Sequence, residues 1–102
     1  MKLSGVEALT NFVKKHRASA PAVEHWILFA KAAVWENTAD VKRAFSSVSF
    51  VGRCVIFNAG GNKYRIITEI DFVGEEIKIR EILTHVEYNK IDFNKKCKKA
   101  RK

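Results

Sequence analysis

The sequence predicts an α+β domain in which N-terminal helices pack on a three- to four-stranded, mainly antiparallel sheet, followed by a short C-terminal helix. Apolar residues recur at helical spacing through the first 45 residues, whereas strand-like runs separated by short turns fill residues 48–83. Turns this short cannot carry a parallel crossover, so we expect these strands to form an antiparallel meander. The 102 residues suffice for one hydrophobic core and not for two, and we place a single domain at residues 1–93.

Three helices are predicted in the N-terminal half. Ser4 and Glu7 have the spacing of a capping box, which indicates that a first helix starts there. Pro21 suits the first turn of a second helix, and Asn37 or Thr38 can cap a third, shorter one. The second helix is expected to bury one apolar stripe, formed by Val23, Trp26, Ile27, Ala30 and Val34.

The sheet is predicted from apolar runs and turn chemistry. Residues 54–57 are continuously apolar, which is typical of a strand buried on both faces, and residues 64–72 alternate as its hairpin partner after a Gly-Gly-Asn turn. A further strand spans residues 77–83, and Thr84 with Glu87 then has capping-box spacing at the start of a short helix. Alternation along that strand places Ile77, Ile79, Glu81 and Leu83 on one face and Lys78, Arg80 and Ile82 on the other.

The charge balance favours a polyanionic partner. The chain carries 19 Lys and Arg against 11 Asp and Glu, a formal net charge of +8. Nucleic acid is the leading partner class, because basic side chains release counterions from its phosphates. An acidic protein or an anionic membrane would also be attracted by this net positive charge. Six of the basic residues lie in residues 94–102, which we interpret as a mobile basic tail.

Other features narrow the class of protein. No apolar run is long enough to cross a bilayer and the N-terminus lacks a signal-peptide pattern, so we expect a cytoplasmic protein without a membrane partner. Cys54 and Cys97 are far apart and belong to no Cys/His cluster, which argues against both a zinc site and a disulfide. No metal or other cofactor is expected. His16 and His25 lie among helix residues without carboxylates at ligand spacing and are given no role.

Three stretches of the sequence resemble one toxin family. Residues 49–52 (SFVG), 55–65 (VIFNAGGNKYR) and 79–88 (IREILTHVEY) are similar to HigB toxins of the RelE/ParE superfamily. Together with residues 26–40, the resemblance covers most of the chain. The hairpin motif and the T-H-x-E-Y run are specific when they occur together and in this order, whereas either alone would be a weak signal.

The resemblance implies a function as well as a fold. HigB-type toxins have a compact sheet that carries helices, cleave messenger RNA on the ribosome and are inhibited by a cognate helix-turn-helix antitoxin, here a HigA-like protein. The chain is thus expected to be the toxin of a type II toxin-antitoxin system and a metal-independent endoribonuclease. One position departs from the family pattern, since Asn89 follows Tyr88 where an Asp is expected.

Four residues are candidates for the chemistry of cleavage. Cutting RNA without a metal requires a base near the 2′-hydroxyl, cations around the phosphate and an acid for the departing 5′-oxygen. Arg65 and Arg80 lie on strands predicted to be neighbours, and His85 and Tyr88 are one helical turn apart. We predict that these four residues converge as a catalytic centre. The strand pattern alone favours the other interpretation, in which the two arginines are solvent-facing partners of Glu69, Asp71 or Glu81.

Four further residues are predicted to contact RNA. Lys63 at the hairpin tip can neutralise a phosphate and Tyr64 can stack on a base, and Lys78 and Lys90 add positive charge.

Two other functions stay open at this point. A ParE-like toxin directed at DNA gyrase would share the fold and would not need an acid-base pair, so His85 with Tyr88 argues against it. A non-catalytic RNA-binding module would use the same basic and aromatic residues without cleaving.

Overall fold

A computed structural model describes residues 1–92, 95 and 97. They form five strands, four α-helices and a short 3₁₀ turn at Arg17–Ser19. The elements are β1 (Lys2–Ser4), α1 (Val6–Lys15), α2 (Ala20–Ala32), α3 (Thr38–Ala44), β2 (Ser49–Val51), β3 (Cys54–Ala59), β4 (Tyr64–Asp71), β5 (Glu76–Thr84) and α4 (His85–Asn89). None of the described helices has the length and apolarity that crossing a membrane requires.

The strands form one sheet in the order β1-β5-β4-β3-β2. Every pairing from β2 to β5 is antiparallel, which confirms the predicted meander and the α+β class. The sheet has five strands instead of three or four, because β1 adds in parallel to the edge of β5. This strand is only three residues long, too short to give a periodic signal in the sequence.

The sheet is covered on both faces, as the apolar run in β3 predicts. On one face, helices α1 and α2 pack over a core that includes Trp26, Phe57 and Ile66, all less than 2% exposed. On the other face a smaller cluster joins Cys54, Ile56, Ile67 and Cys97, against which Leu83, Tyr88 and Ile91 pack. We call this second face the Cys54 face.

The first helix starts differently from the prediction. Ser4 belongs to β1 and pairs with Lys78, so it does not cap a helix. The N-cap is Gly5, which has a φ of 77° and makes no side-chain capping hydrogen bond. A Cβ at this position would collide with the carbonyl oxygen of Ile79, so only glycine lets the chain turn from the edge strand into α1.

The second and third helices largely agree with the prediction. Val23, Trp26 and Ala30 are buried, but α2 ends at Ala32 and leaves Val34 82% exposed. The backbone becomes extended at Ala33, which turns Trp35 into the core in place of Val34. Asn37 caps α3 through its side chain, which accepts a hydrogen bond from the Asp40 amide, as predicted.

A β-bulge corrects the predicted faces of β5. Ile67 pairs with Glu81 and Thr68 with Ile79, so Arg80 is an extra residue opposite β4. The bulge shifts the alternation by one residue. Ile82 therefore joins Ile77 and Ile79 in the helix-covered core, while Leu83 packs on the Cys54 face.

The expectation of unpaired cysteines is wrong. Cys54 and Cys97 form a disulfide, with Cα atoms 5.5 Å apart, and Cys97 is fully buried. The backbone amide of Arg53 also donates a hydrogen bond of 2.9 Å to the Cys97 carbonyl. Of the predicted basic tail at 94–102, only Lys95 and Cys97 are described, and the rest of that prediction lies outside the described residues.

Candidate active site

The tip of the β3–β4 hairpin and the start of α4 meet at one end of the sheet. Tyr64 at the start of β4 pairs with Thr84 at the end of β5, so Lys63, which precedes Tyr64, lies opposite His85, which follows Thr84. The backbone amide of His85 donates a hydrogen bond of 2.8 Å to the Lys63 carbonyl, which joins helix and hairpin directly. The sheet register thus brings together motifs that lie about 20 residues apart in the sequence.

The predicted capping box holds α4 in place. The Thr84 hydroxyl accepts a hydrogen bond of 3.2 Å from the Glu87 amide, and the Glu87 carboxylate accepts one of 2.9 Å from the Thr84 amide. The pKa of Glu87 is lowered from its usual value, mainly because its carboxylate accepts this hydrogen bond from the Thr84 backbone. The cap fixes the first turn of a helix only five residues long, on which His85 and Tyr88 lie.

Arg65 joins the two predicted proton-transfer residues. Its Nη1 donates to the Asn62 carbonyl at 2.9 Å, which anchors the guanidinium at the hairpin tip. Its Nη2 lies 3.4 Å from Nδ1 of His85, and its Cζ lies 5.2 Å from the centroid of the Tyr88 ring. Three of the four predicted catalytic residues therefore meet around one cation.

The contact with Arg65 allows the tautomer of a neutral His85 ring to be assigned. A guanidinium can only donate hydrogen bonds, so Nδ1 must accept from Arg65 and the proton of the neutral ring lies on Nε2. The side-chain amide nitrogen of Asn89 lies 3.5 Å from Nε2, where two N–H donors would face each other in this tautomer. Because the two ends of an amide are interchangeable by a half-turn, we assign its oxygen as the acceptor of the Nε2 proton.

Arg80 lies apart from this group. Its Nε forms an ion pair of 3.2 Å with the Glu69 carboxylate, and Arg53 approaches the same oxygen at 3.3 Å. This pairing of Arg80 with Glu69 is the solvent-facing arrangement that the strand pattern offered as the alternative to a catalytic role. The bulge places Arg80 beside a cavity of about 390 Å³ that Cys54 and Cys97 also line, on the Cys54 face.

The predicted RNA-binding residues divide between two regions. Lys63 is exposed at the hairpin tip, while the ring of Tyr64 is half-buried and packs edge-on against Phe12 at 5.6 Å. Lys90 is exposed directly after α4. Lys78 pairs with Ser4 and Glu69 near the start of β5, at the opposite end of that strand from His85.

A groove of about 650 Å³ runs along the hairpin tip and the start of α4, and we call it the His85 groove. It is lined by His16, Gly60, Gly61, Asn62, Lys63, Tyr64, Thr84, His85 and Val86. His16, to which the sequence analysis assigned no role, stacks on Phe12 at 4.4 Å and faces this groove from the end of α1. Only the packing of α1 against β5 brings it there, so no local signal marks it.

Within residues 1–92, 95 and 97, no cluster of three or more His, Cys, Asp and Glu side chains is suited to hold a metal ion. The groups assembled here are a cation, an imidazole, a phenol and a flexible lysine. Such a set can bind a phosphate, accept a proton and donate one.

Comparison with known proteins agrees with the motif resemblance. Three curated relatives each share 30% identity over 54 residues: the mRNA interferase toxin HigB of Escherichia coli K12 and the mRNA interferases HigB of Escherichia coli O157:H7 and Shigella flexneri. The match covers 53% of this chain and 52% of each relative, so the chain spans about half the length of the curated relatives it matches. Residues 19–91 match the HigB_toxin family, described as the RelE-like toxic component of a toxin-antitoxin system. That match takes in α2 to α4 and most of the groove, and the chain therefore belongs to the HigB toxin family.

Proposed function

We propose that this chain is the toxin of a type II toxin-antitoxin pair and cleaves messenger RNA on the ribosome by metal-independent acid-base chemistry. Family membership and the mRNA interferase names of its relatives support the toxin class and the substrate. The observation that carries the chemistry is the contact of Arg65 with both His85 and Tyr88. A cytoplasmic location and inhibition by a HigA-like helix-turn-helix antitoxin belong to the same proposal.

The roles follow from the contacts of Arg65 with His85, which lines the groove, and with Tyr88, which packs on the Cys54 face. Arg65 and Lys63 bind the scissile phosphate and stabilise the negative charge that builds during attack. As Arg65 turns toward the phosphate, Nδ1 of His85 is released and accepts the proton of the adjacent 2′-hydroxyl. Tyr88 then donates its phenolic proton to the departing 5′-oxygen. The products are a 2′,3′-cyclic phosphate and a free 5′-hydroxyl, so atoms and charge balance without an added reactant.

Arg80 has a secondary place in this proposal. Its ion pair with Glu69 leaves it on the Cys54 face, where it can contact the RNA backbone outside the reacting phosphate. We therefore expect Arg80→Ala to weaken cleavage less than Arg65→Ala. Lys78 and Lys90 are assigned the same kind of backbone contact, and Tyr64 is assigned a base contact.

The test is cleavage on translating ribosomes, with new RNA ends mapped for each variant. Arg65→Ala and His85→Ala should each lower the rate on the order of 10²–10³-fold, because each removes a group used in the transition state. Tyr88→Phe keeps the ring over Arg65 and should lower the rate through loss of the proton donor. Arg43→Ala is the matched control, since Arg43 is exposed on α3 and pairs with Asp40.

Three results would contradict the proposal. Full cleavage by His85→Ala at native stability would remove the assigned base, and a loss of activity after metal has been stripped from the protein alone, restored by adding the metal back, would point to a metal mechanism. Binding of ribosomes without any new RNA ends would favour the non-catalytic RNA-binding module.

A further inference from the structure

A second cavity lies beside the His85 groove, between α2 and the β3–β4 hairpin. Its volume is about 680 Å³, within the range of small-molecule sites. Its walls include Trp26, Phe45, Ser47, Asn58, Lys63 and Tyr64. We call it the Trp26 cavity.

The walls of the Trp26 cavity combine aromatic surface with hydrogen-bonding groups. Phe45 and Tyr64 offer ring surface, while Ser47 and Asn58 offer polar groups at the rim. Trp26 is 1% exposed, and its indole Nε1–H is buried without a hydrogen-bond partner among the described residues.

The Trp26 cavity and the His85 groove are neighbours. Gly60, Gly61, Lys63 and Tyr64 line both. Gly60 keeps the wall between them thin, since a Cβ there would lie 3.2 Å from the Tyr64 ring and 3.3 Å from the Ala22 side chain. If one phosphate of an RNA strand lies beside Arg65 and His85, the adjacent nucleotide of that strand lies next to the Trp26 cavity.

We propose that the Trp26 cavity binds an unpaired nucleobase of the RNA strand and thereby selects the sequence that is cut. The inference rests on the proposed function for the position of the strand. A nucleobase fits the cavity chemically, because it has a flat face to stack on the rings of Phe45 and Tyr64 and polar groups along its edge that can bond to Ser47 and Asn58. Binding of this base would hold the next phosphate in the His85 groove.

Fluorescence of Trp26 tests binding independently of cleavage. Trp35→Phe leaves Trp26 as the one tryptophan of the chain, and His85→Ala in the same protein prevents turnover. Short single-stranded RNA should quench Trp26, whereas an oligonucleotide of the same length with an abasic ribose at the central position should quench it at least fivefold more weakly. Equal quenching by the two oligonucleotides, or none by either, would overturn the proposal.

Filling the cavity tests its role in selection. Ser47 is exposed at the rim, so Ser47→Phe should occupy the cavity without disturbing the core, and Ala39→Phe on the exposed face of α3 is the matched control. Ser47→Phe should raise KM about tenfold and alter the base preference at the cut sites, while Ala39→Phe changes neither. Ala18→Phe, at another exposed point of the rim, replaces Ser47→Phe if that variant fails to fold.

The two experiments separate this inference from the proposed function. Base-dependent quenching, together with a wild-type protein that makes no new RNA ends on translating ribosomes, would uphold the cavity and refute cleavage. Cleavage with an unaltered KM and unaltered cut sites in both filled variants, together with absent quenching, would refute the cavity and uphold cleavage.

Discussion

Asn89 is the residue at which this chain departs from the pattern expected of its family. Its side chain lies at Nε2 of His85, while Arg65 lies at Nδ1. With the Asn89 oxygen assigned toward Nε2, the two contacts favour the tautomer in which Nδ1 accepts. An amide oxygen at Nε2 can orient the ring, but it stabilises the imidazolium formed during proton transfer less than a carboxylate would.

We therefore predict that Asn89→Asp raises kcat several-fold, while Asn89→Leu lowers it about tenfold, each with little change in KM. The leucine cannot accept the Nε2 proton, so the ring loses its preferred tautomer and orientation. Steady-state cleavage gives the rates, and ¹⁵N shifts of the imidazole report the tautomer.

Asn11→Leu, on the exposed face of α1, is the matched control and should alter neither kcat nor the ¹⁵N shifts. Unchanged kcat and tautomer in Asn89→Leu would mean that Asn89 does not position His85.

At the scale of elements, much of the candidate site could be predicted from the sequence because its signals are local. The Gly-Gly-Asn turn and the Thr84 cap each lie within a few residues, and both motifs form as expected. The placement of Arg80 was not predictable in the same way, because the bulge depends on how β5 bends against β4. The parallel pairing of β1 with β5 was missed for a similar reason, since it joins residues far apart in the sequence.

The Thr84 cap leads to a prediction for α4 as an element. Thr84→Ala should make the amides of residues 85–89 exchange about fivefold faster, because losing a cap costs about 1 kcal/mol. Global stability should change little, since α4 has five residues and buries none of them. Hydrogen exchange followed by NMR measures both quantities, and unchanged exchange would show that the cap does not hold α4.

The same cap should loosen in acid. Because the pKa of Glu87 is lower in the folded protein than its usual value of 4.5, the stabilisation is present above that value and is lost as the pH falls through the folded pKa. In Glu87→Gln the amide oxygen still accepts from Thr84 but does not titrate, so exchange in α4 should lose this pH dependence.

At the scale of the whole molecule, the packing of one face of the sheet could be predicted from the sequence, whereas the packing of the other face could not. The helix-covered face follows from helical periodicity, and most of the predicted apolar stripe of α2 is buried there. The Cys54 face depends on Cys97, which lies 43 residues from Cys54, and no spacing rule connects them. The absence of a disulfide was predicted from the wide sequence spacing of the two cysteines, which says nothing about where the folded chain returns to the sheet.

The disulfide should be a main contributor to global stability. Closing a loop with a sequence separation of 43 residues stabilises a folded chain by about 4 kcal/mol through the entropy of the unfolded state. Native-state strain and unfolded-state structure usually lower this figure, so we expect Cys97→Ala to lower the free energy of unfolding in urea by about 2–4 kcal/mol.

Dithiothreitol should lower the Tm of the wild type toward that of Cys97→Ala and leave the variant unaffected. Alkylation followed by intact mass measurement counts free thiols and verifies the bond. Free thiols in the untreated wild type, with a Tm that dithiothreitol does not change, would show that the Cys54 face is held by packing alone.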